Sequence, residues 1–317
     1  MRDFFISLGL LQHFYVDEKH ALIISSIEEQ KDLQNFSKWL LDVGDGNLGM
    51  PHDGIAEIEI PDDLLITNYD DPVSAIVSAT YPDLLQNLSS FDYFNDRAIL
   101  APTIEVVNQV NDYMCSLLPG EHVEYLSCDS VCKSFNDNDC FEDLYTIDFL
   151  NTINSSSMPL HKLSLKVGTL VMLLRNIDEA SGLCNGTRLR VTKLGKTVIE
   201  AVTLNGSKPN QKVLIHRMDM NPFESHLPFR MTRRQFPITL SFAMTINKSQ
   251  GQLLRYVGLY LPKPVFSHDQ LYVALSRVRS MGGLKILVHN DVSSASNFTT
   301  NVVFREVFRN VDPSMQI

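Results

Sequence analysis

Two stretches of this sequence read as strand, turn and helix in succession, and between them the hydrophobic period changes. Arg97–Ala101 is a short apolar run and Pro102-Thr103 a turn. Val106, Val107, Val110 and Met114 then recur at helical offsets, with Thr103 placed to cap that helix. From Phe236 the pattern returns. Ile238–Phe242 predicts a strand, Thr245–Gly251 a turn that opens a helix, and Tyr256–Leu261 a strand. His268–Val278 predicts a helix with Leu271, Ala274, Leu275 and Val278 on one face, and Leu284–Val288 a further strand. Strands alternating with helices imply an α/β layer built on a mainly parallel sheet. Between the two stretches, Val167–Leu174 is continuously apolar and Leu189–Leu194 alternates, with the turn signal Asn185-Gly186 in the connection. Val198–Leu204, Asn205-Gly206 and Val213–Ile215 repeat the theme. Short strands separated by turn signals predict a small antiparallel β-barrel inserted into the α/β domain.

The first 90 residues read as helices and loops. Leu33, Phe36, Leu40 and Leu41 recur at helical spacing, Asp42–Gly54 is a loop rich in Gly and Asp, and Ile55–Ile60 is a short extended segment. Pro72–Leu85 reads as a helix broken at Pro82. With 317 residues, 44% of them hydrophobic, the chain has enough apolar material for two packed domains. No run of about 18 apolar residues exists, so no membrane partner is expected. Five cysteines, an odd number, do not form a disulfide framework, and the expected compartment is reducing and intracellular, the nucleus or another compartment, mitochondria included.

The net charge of −10 conceals an asymmetry. Residues 1–159 hold 6 Lys and Arg against 28 Asp and Glu, a balance of −22; residues 160–317 hold 21 against 9, a balance of +12. Two readings stand side by side: the basic half meets a polyanion, or the two halves attract each other.

Several motifs imitate chemistry that they do not carry. Gly195-Lys196-Thr197 ends like a phosphate-binding loop, but Arg190 stands where that loop needs its first glycine, and the segment joins two expected strands rather than a strand and a helix. Ile177-Asp178-Glu179 resembles a magnesium-binding acidic pair, but Arg175 and Asn176 interrupt the apolar run before it. Cys128, Cys132 and Cys140 are irregularly spaced with no nearby His, and read as free thiols rather than zinc ligands. Phe91, Tyr93 and Phe94 could stack on bases, with core packing the commoner use of such residues.

Two segments carry more. In Phe242–Gln252, Thr, Asn, Lys, Ser and Gln cluster after a strand, where parallel sheets place ligands; hydroxyls, amides and backbone N–H groups there suit phosphate oxygens, although an ordinary polar turn has the same composition. In Leu271–Arg279 the apolar residues share one face and Arg277 lies off it near the helix end. There it either reaches a neighbouring domain to offset charge on a transferring phosphoryl group or is a solvated arginine aiding the helix terminus.

Taken in order, these blocks resemble the C-terminal half of the PIF-type DNA helicases, relatives of the RecD-like enzymes, and in particular the versions carried by plant Helitron transposons. The matching blocks are Ala98–Thr103 with Asn108 and Asn111, Pro159–Leu163, Leu165–Asn176, Leu183–Arg188, Asn247–Gly251 and Tyr272–Val278. Trp39–Gly46 and Glu57–Asp63 look like the family's connecting region.

The resemblance implies a second RecA-like motor domain over residues 91–150 and 231–317, an inserted Src-homology-like barrel over 151–230, and an acidic, mostly helical segment over 1–90. It implies that Thr245, Asn247, Lys248, Ser249, Gln250 and Gly251 couple single-stranded DNA to the nucleotide cleft, and that Arg277 is an arginine finger. Met1-Arg2 resembles the tail of an Asn-Met-Arg block, which would make Arg2 a second phosphate-sensing arginine. Thr103 and Asn108 fall in the fourth-motif region, at the domain interface. ATP and Mg²⁺ are the family's cofactors, but the first RecA-like domain that holds them is not matched here. That domain is expected in trans or from upstream sequence, and the chain alone, a truncated product, part of a longer gene or a transposon relic, is not expected to unwind DNA. Leu253 stands where the family usually has Thr.

Overall fold

Each element follows from local sequence. Helix α1 (Ile27–Gly44) buries Phe36, Leu40 and Val43 on one stripe. Strand β1 (Ile55–Glu59) alternates exposed and buried residues. Helix α2 (Pro72–Thr80) begins on a proline, has its Ser74 N–H capped by the Asp71 carboxylate at 2.6 Å, and stops before Tyr81-Pro82. Next come α3 (Phe91–Asn95), β2 (Arg97–Ala101) and α4 (Ile104–Leu117). They are followed by β3 (Val123–Leu126), β4 (Cys128–Val131) and α5 (Ile147–Thr152), whose first turn is capped by the Thr146 hydroxyl. Short strands then dominate: β5 (Lys162–Leu165), β6 (Leu170–Leu173), β7 (Arg188–Leu194), β8 (Val198–Thr203), β9 (Lys212–His216), β10 (Met218–Met220), β11 (Met231–Gln235), β12 (Ile238–Leu240) and β13 (Ala243–Thr245). The last part holds β14 (Tyr256–Leu261), α6 (Gln270–Leu275), β15 (Leu284–Asn290), β16 (Ser294–Ala295) and β17 (Phe298–Val302). This computed structural model describes residues 27–304 except 51–52, 89, 132–144, 156, 205–208, 223–228, 291–293 and 296.

The chain divides into two compact units, one formed by residues 1–80, 96–103 and 245–317, the other by residues 81–95 and 104–244. The first unit is organised by a sheet of order β13-β2-β14-β15-β16. Its centre is parallel: Tyr256 is level with Arg97, and Val257 with Leu284. Ala98, Ile99, Leu100 and Ala101 are all buried, as a parallel strand covered on both faces requires. Helix α2 lies so close over β14 that a Cβ on Gly258 would collide with the Thr80 hydroxyl. Helix α1 packs on α6, where Gly44 leaves room for the Tyr272 ring. Strands β1 and β17 form an antiparallel ribbon.

The second unit is built on an antiparallel sheet of order β12-β6-β7-β8-β9. Its core gathers Val171, Leu173, Leu189, Val191, Ile199, Ala201, Val213, Ile215, Phe236 and Ile238. The hairpin expected around Asn185-Gly186 is present, Leu170 facing Arg190, and Gly186 takes φ +91° to make the turn. The turn expected at Asn205-Gly206 lies outside the described residues, but β8 and β9 on either side pair antiparallel. A smaller sheet, β10-β11-β4, is held to α5 by Arg233. This fully buried guanidinium binds both Asp129 carboxylate oxygens and the carbonyls of Leu150, Ile153 and Pro159, so all five of its N–H groups are used.

The sequence expectation at Phe236 needs correction. Ile238–Phe242 is not one strand of the parallel sheet. Ile238–Leu240 pairs antiparallel with β6, and a separate strand, β13, joins the other sheet. The expected helix after Thr245 is a single 3₁₀ turn, Ile246–Ser249, ended by Gly251 at φ +78°. The helix expected over His268–Val278 is shorter, Gln270–Leu275.

Arg233→Ala strands the buried Asp129 charge and is expected to cost about 3–5 kcal/mol. Denaturant unfolding of the full chain measures this, and a loss under about 1 kcal/mol, the scale of a surface pair, would show that the pair is not the anchor of this sheet.

Candidate nucleotide and nucleic-acid interface

The polar segment after β13 is held from beneath. Ile246 and Ser249 are buried, and the Ser249 hydroxyl donates to the Ile246 carbonyl at 2.6 Å. Ser249 is thereby an internal brace for the turn. Asn247, Gln250 and Gly251 are exposed, and Thr245 and Lys248 half-buried, so these present the groups available to a ligand. Two residues on from Gln252, Leu254 bridges in parallel to Val278: the Leu254 N–H donates to the Arg277 carbonyl at 2.8 Å and the Arg279 N–H to the Leu254 carbonyl at 3.2 Å. The segment leaving the polar turn and the segment carrying Arg277 therefore run side by side.

Arg277 is not the solvated arginine that its position near a helix end allowed. Its side chain is 0% exposed. Its Nε donates to the Val273 carbonyl and its Nη2 to the Ser276 hydroxyl, both at 2.8 Å, while Nη1 is buried without a partner. Burial lowers its pKa to about 10, with Tyr272 opposing the shift. Gln252, which the sequence reading did not single out, likewise has a buried Oε1 with no partner. No spacing rule marks it; only its burial does.

The remaining expected site residues are scattered. Thr103 follows the carboxyl end of β2, whereas Leu254 and Val278 precede the amino ends of β14 and β15. Thr103 and Arg277 thus lie at opposite ends of the parallel strands. Asn108 belongs to α4 in the second unit and is half-buried. Arg2 lies outside the described residues, as do Cys132 and Cys140.

Gly195-Lys196-Thr197 is the turn of the β7–β8 hairpin, closed by the Gly195 N–H on the Val198 carbonyl at 3.0 Å. Asp178 and Glu179 sit in a loop pinned by the Asp178–Leu183 bridge and by Asn176 donating to the Glu179 carboxylate at 2.7 Å. Among the described residues, no three His, Cys, Asp or Glu side chains gather as a metal site. Tyr93 and Phe94 are core residues, packed with Tyr81 and Phe242. Within the basic half, Arg188, Arg233 and Arg277 are wholly buried, whereas Lys193 on β7, Lys196 in the β7–β8 turn and Lys212 on β9 are exposed.

Residues 148–194 match the 2B domain of the DNA helicase Pif1. The chain is 31% identical over 186 residues to the ATP-dependent DNA helicase PIF1 of Xenopus laevis, covering 57% of this chain and 26% of the relative. It is 28% identical over 264 residues to the ATP-dependent DNA helicase Pif1 of a Psychrobacter species, covering 68% and 38%. Over these stretches the chain is similar to the PIF-type DNA helicases. The fold agrees: the crystal structure of Pif1 helicase from Candida albicans superposes with a TM-score of 0.55 at 22% identity, over 90% of this chain and 58% of that one. The chain spans about a quarter of the length of its Xenopus relative.

Arg277 is wholly buried with one nitrogen unpartnered, and stability reads its state. A buried guanidinium with one unsatisfied arm is costly, so Arg277→Met is expected to raise the unfolding midpoint, by about 1 kcal/mol or more in stability. A lowered midpoint would mean that the guanidinium is a net stabiliser of α6.

Proposed function

We propose that this chain is the second RecA-like lobe of a PIF-type helicase, with an inserted small barrel over 151–230 and an acidic segment over 1–90, and that it binds single-stranded DNA. The carrying observation is the parallel tie between Leu254 and Val278, beside which Gln252 Oε1 and Arg277 Nη1 are both buried and unpartnered. Two buried polar atoms without partners in neighbouring segments are candidate ligand-binding groups, reached once the cover over them opens. ATP with Mg²⁺ supplies the phosphoryl chemistry when bound, and on this reading the first RecA-like domain, in trans or encoded upstream, holds both.

The roles then divide by chemistry. Arg277 offsets charge developing on the transferring phosphoryl group. Thr245, Asn247, Lys248, Gln250 and Gly251 offer hydroxyl, amide, ammonium and backbone N–H donors to DNA phosphates, with Ser249 bracing the turn that carries them. Lys193, Lys196 and Lys212 add exposed positive charge near the β7–β8 hairpin. Thr103 and Asn108 act at the lobe boundary, and Arg2 is a second phosphate sensor. Helitron-type origin and a nuclear or other intracellular site fit the same reading. A second reading, a DNA-binding or interaction protein without catalysis, is favoured by the Arg277 guanidinium being tied to its own helix.

Titrating the full chain into a fluorescent oligothymidylate across a salt series tests the binding. Affinity is expected to fall linearly on a log–log scale, with a slope near −0.7 per phosphate neutralised. Absence of binding at low salt would remove the proposal. Adding a first motor domain in trans separates the two readings: if Arg277 is the finger, Arg277→Ala cuts ATP turnover by about 10³–10⁵-fold while oligonucleotide affinity holds. Unchanged turnover in that variant leaves only the non-catalytic reading.

A further inference from the structure

Immediately before the Thr245–Gly251 turn, three consecutive backbone carbonyls are each held by a buried side chain from a different part of the second unit. Arg188 of β7 donates through Nη2 to the Ser241 carbonyl at 3.2 Å. The Tyr81 hydroxyl, just after α2, donates to the Phe242 carbonyl at 2.9 Å. The Asn111 amide of α4 donates to the Ala243 carbonyl at 3.0 Å and accepts from the Ala243 N–H at 2.8 Å. Arg188 and Asn111 are at most 1% exposed and Tyr81 2%.

Ordinary packing does not call for this arrangement. Asn111 presents a donor and an acceptor to one residue, as a neighbouring strand would, and so completes the backbone pairing of β13 where a strand is missing. Arg188 also reaches the Asn95 carbonyl at 3.4 Å through Nη1. Asn95 and Tyr81 are the last and first residues of the 81–95 segment, and the chain passes from one compact unit to the other at both ends of it and again after Met244. The clamped residues are therefore the second unit's anchors for chain crossings. The bonds go to backbone, so they fix where the main chain runs whatever the side chains of 241–243 do.

We infer that Tyr81, Asn111 and Arg188 are positioning residues: they fix the backbone of Ser241–Ala243, the stretch of chain that runs into the Thr245–Gly251 turn. This rests on the reading of that turn as the DNA-contacting segment. The barrel-side strand β7 thereby holds, through one guanidinium, the stretch of chain that leads into the turn.

Hydrogen exchange and DNA affinity test this on the full chain. Tyr81→Phe removes one hydroxyl and keeps the ring against Phe94 and Phe242; Asn111→Leu removes both amide bonds. In Tyr81→Phe, amides 242–250 are expected to exchange about two- to tenfold faster, the effect of one lost hydrogen bond, while amides 198–216 and the melting midpoint hold. Affinity for an oligothymidylate falls by a similar factor, and Asn111→Leu goes further in both readouts. Unchanged exchange at 242–250, or an equal rise across 198–216, overturns the clamp. A local rise with unaltered affinity overturns its positioning role. A wild-type chain that binds no oligonucleotide removes the function proposed above, while exchange still decides the clamp.

Discussion

A guanidinium taken wholly out of water must find acceptors for five N–H groups, or its burial costs more than its packing returns. Among the described residues three arginines face that demand, and the structure answers it in three ways. Arg233 is fully satisfied by Asp129 and three carbonyls, and in meeting its own need it sews β4, β11 and α5 together. Arg188 directs its arms at main-chain carbonyls far apart in sequence. Arg277 keeps two bonds close to home and leaves its third nitrogen without one. The first two specify chain path. The third leaves one nitrogen unmet in a segment that runs beside the stretch leaving the polar turn.

Much of the fold could be read from the sequence because its physics is local. A parallel strand covered on both faces must be apolar throughout, so Arg97–Ala101, Tyr256–Leu261 and Leu284–Val288 announce themselves. Asn-Gly turns between alternating runs mark the β6–β7 hairpin as clearly. What escaped depends on distant partners. Met231–Gln235 carries two adjacent arginines and does not look like a strand, because the carboxylate that makes Arg233 buriable lies 104 residues earlier. Ile238–Phe242 reads as one strand because nothing within it shows that Ser241, Phe242 and Ala243 are gripped from Arg188, Tyr81 and Asn111.

The candidate site shows the same division. Its residue types and order are visible, and they carry the family resemblance. Their states are not. Ser249 has the same letter whether it meets a phosphate or braces a turn, and only the 2.6 Å bond to Ile246 shows which it does here. The charge asymmetry misleads in part for the same reason: three of the arginines counted in the basic half are interior residues with no surface to offer.

The depressed pKa of Arg277 has a consequence for any anion that comes to it. Dehydration is usually the largest obstacle to a tight ionic contact, and here the fold has already stripped the water from the whole guanidinium. An oxyanion arriving at Nη1 would meet a cation in surroundings of low polarizability, where attraction at a given distance is several times that in bulk solvent.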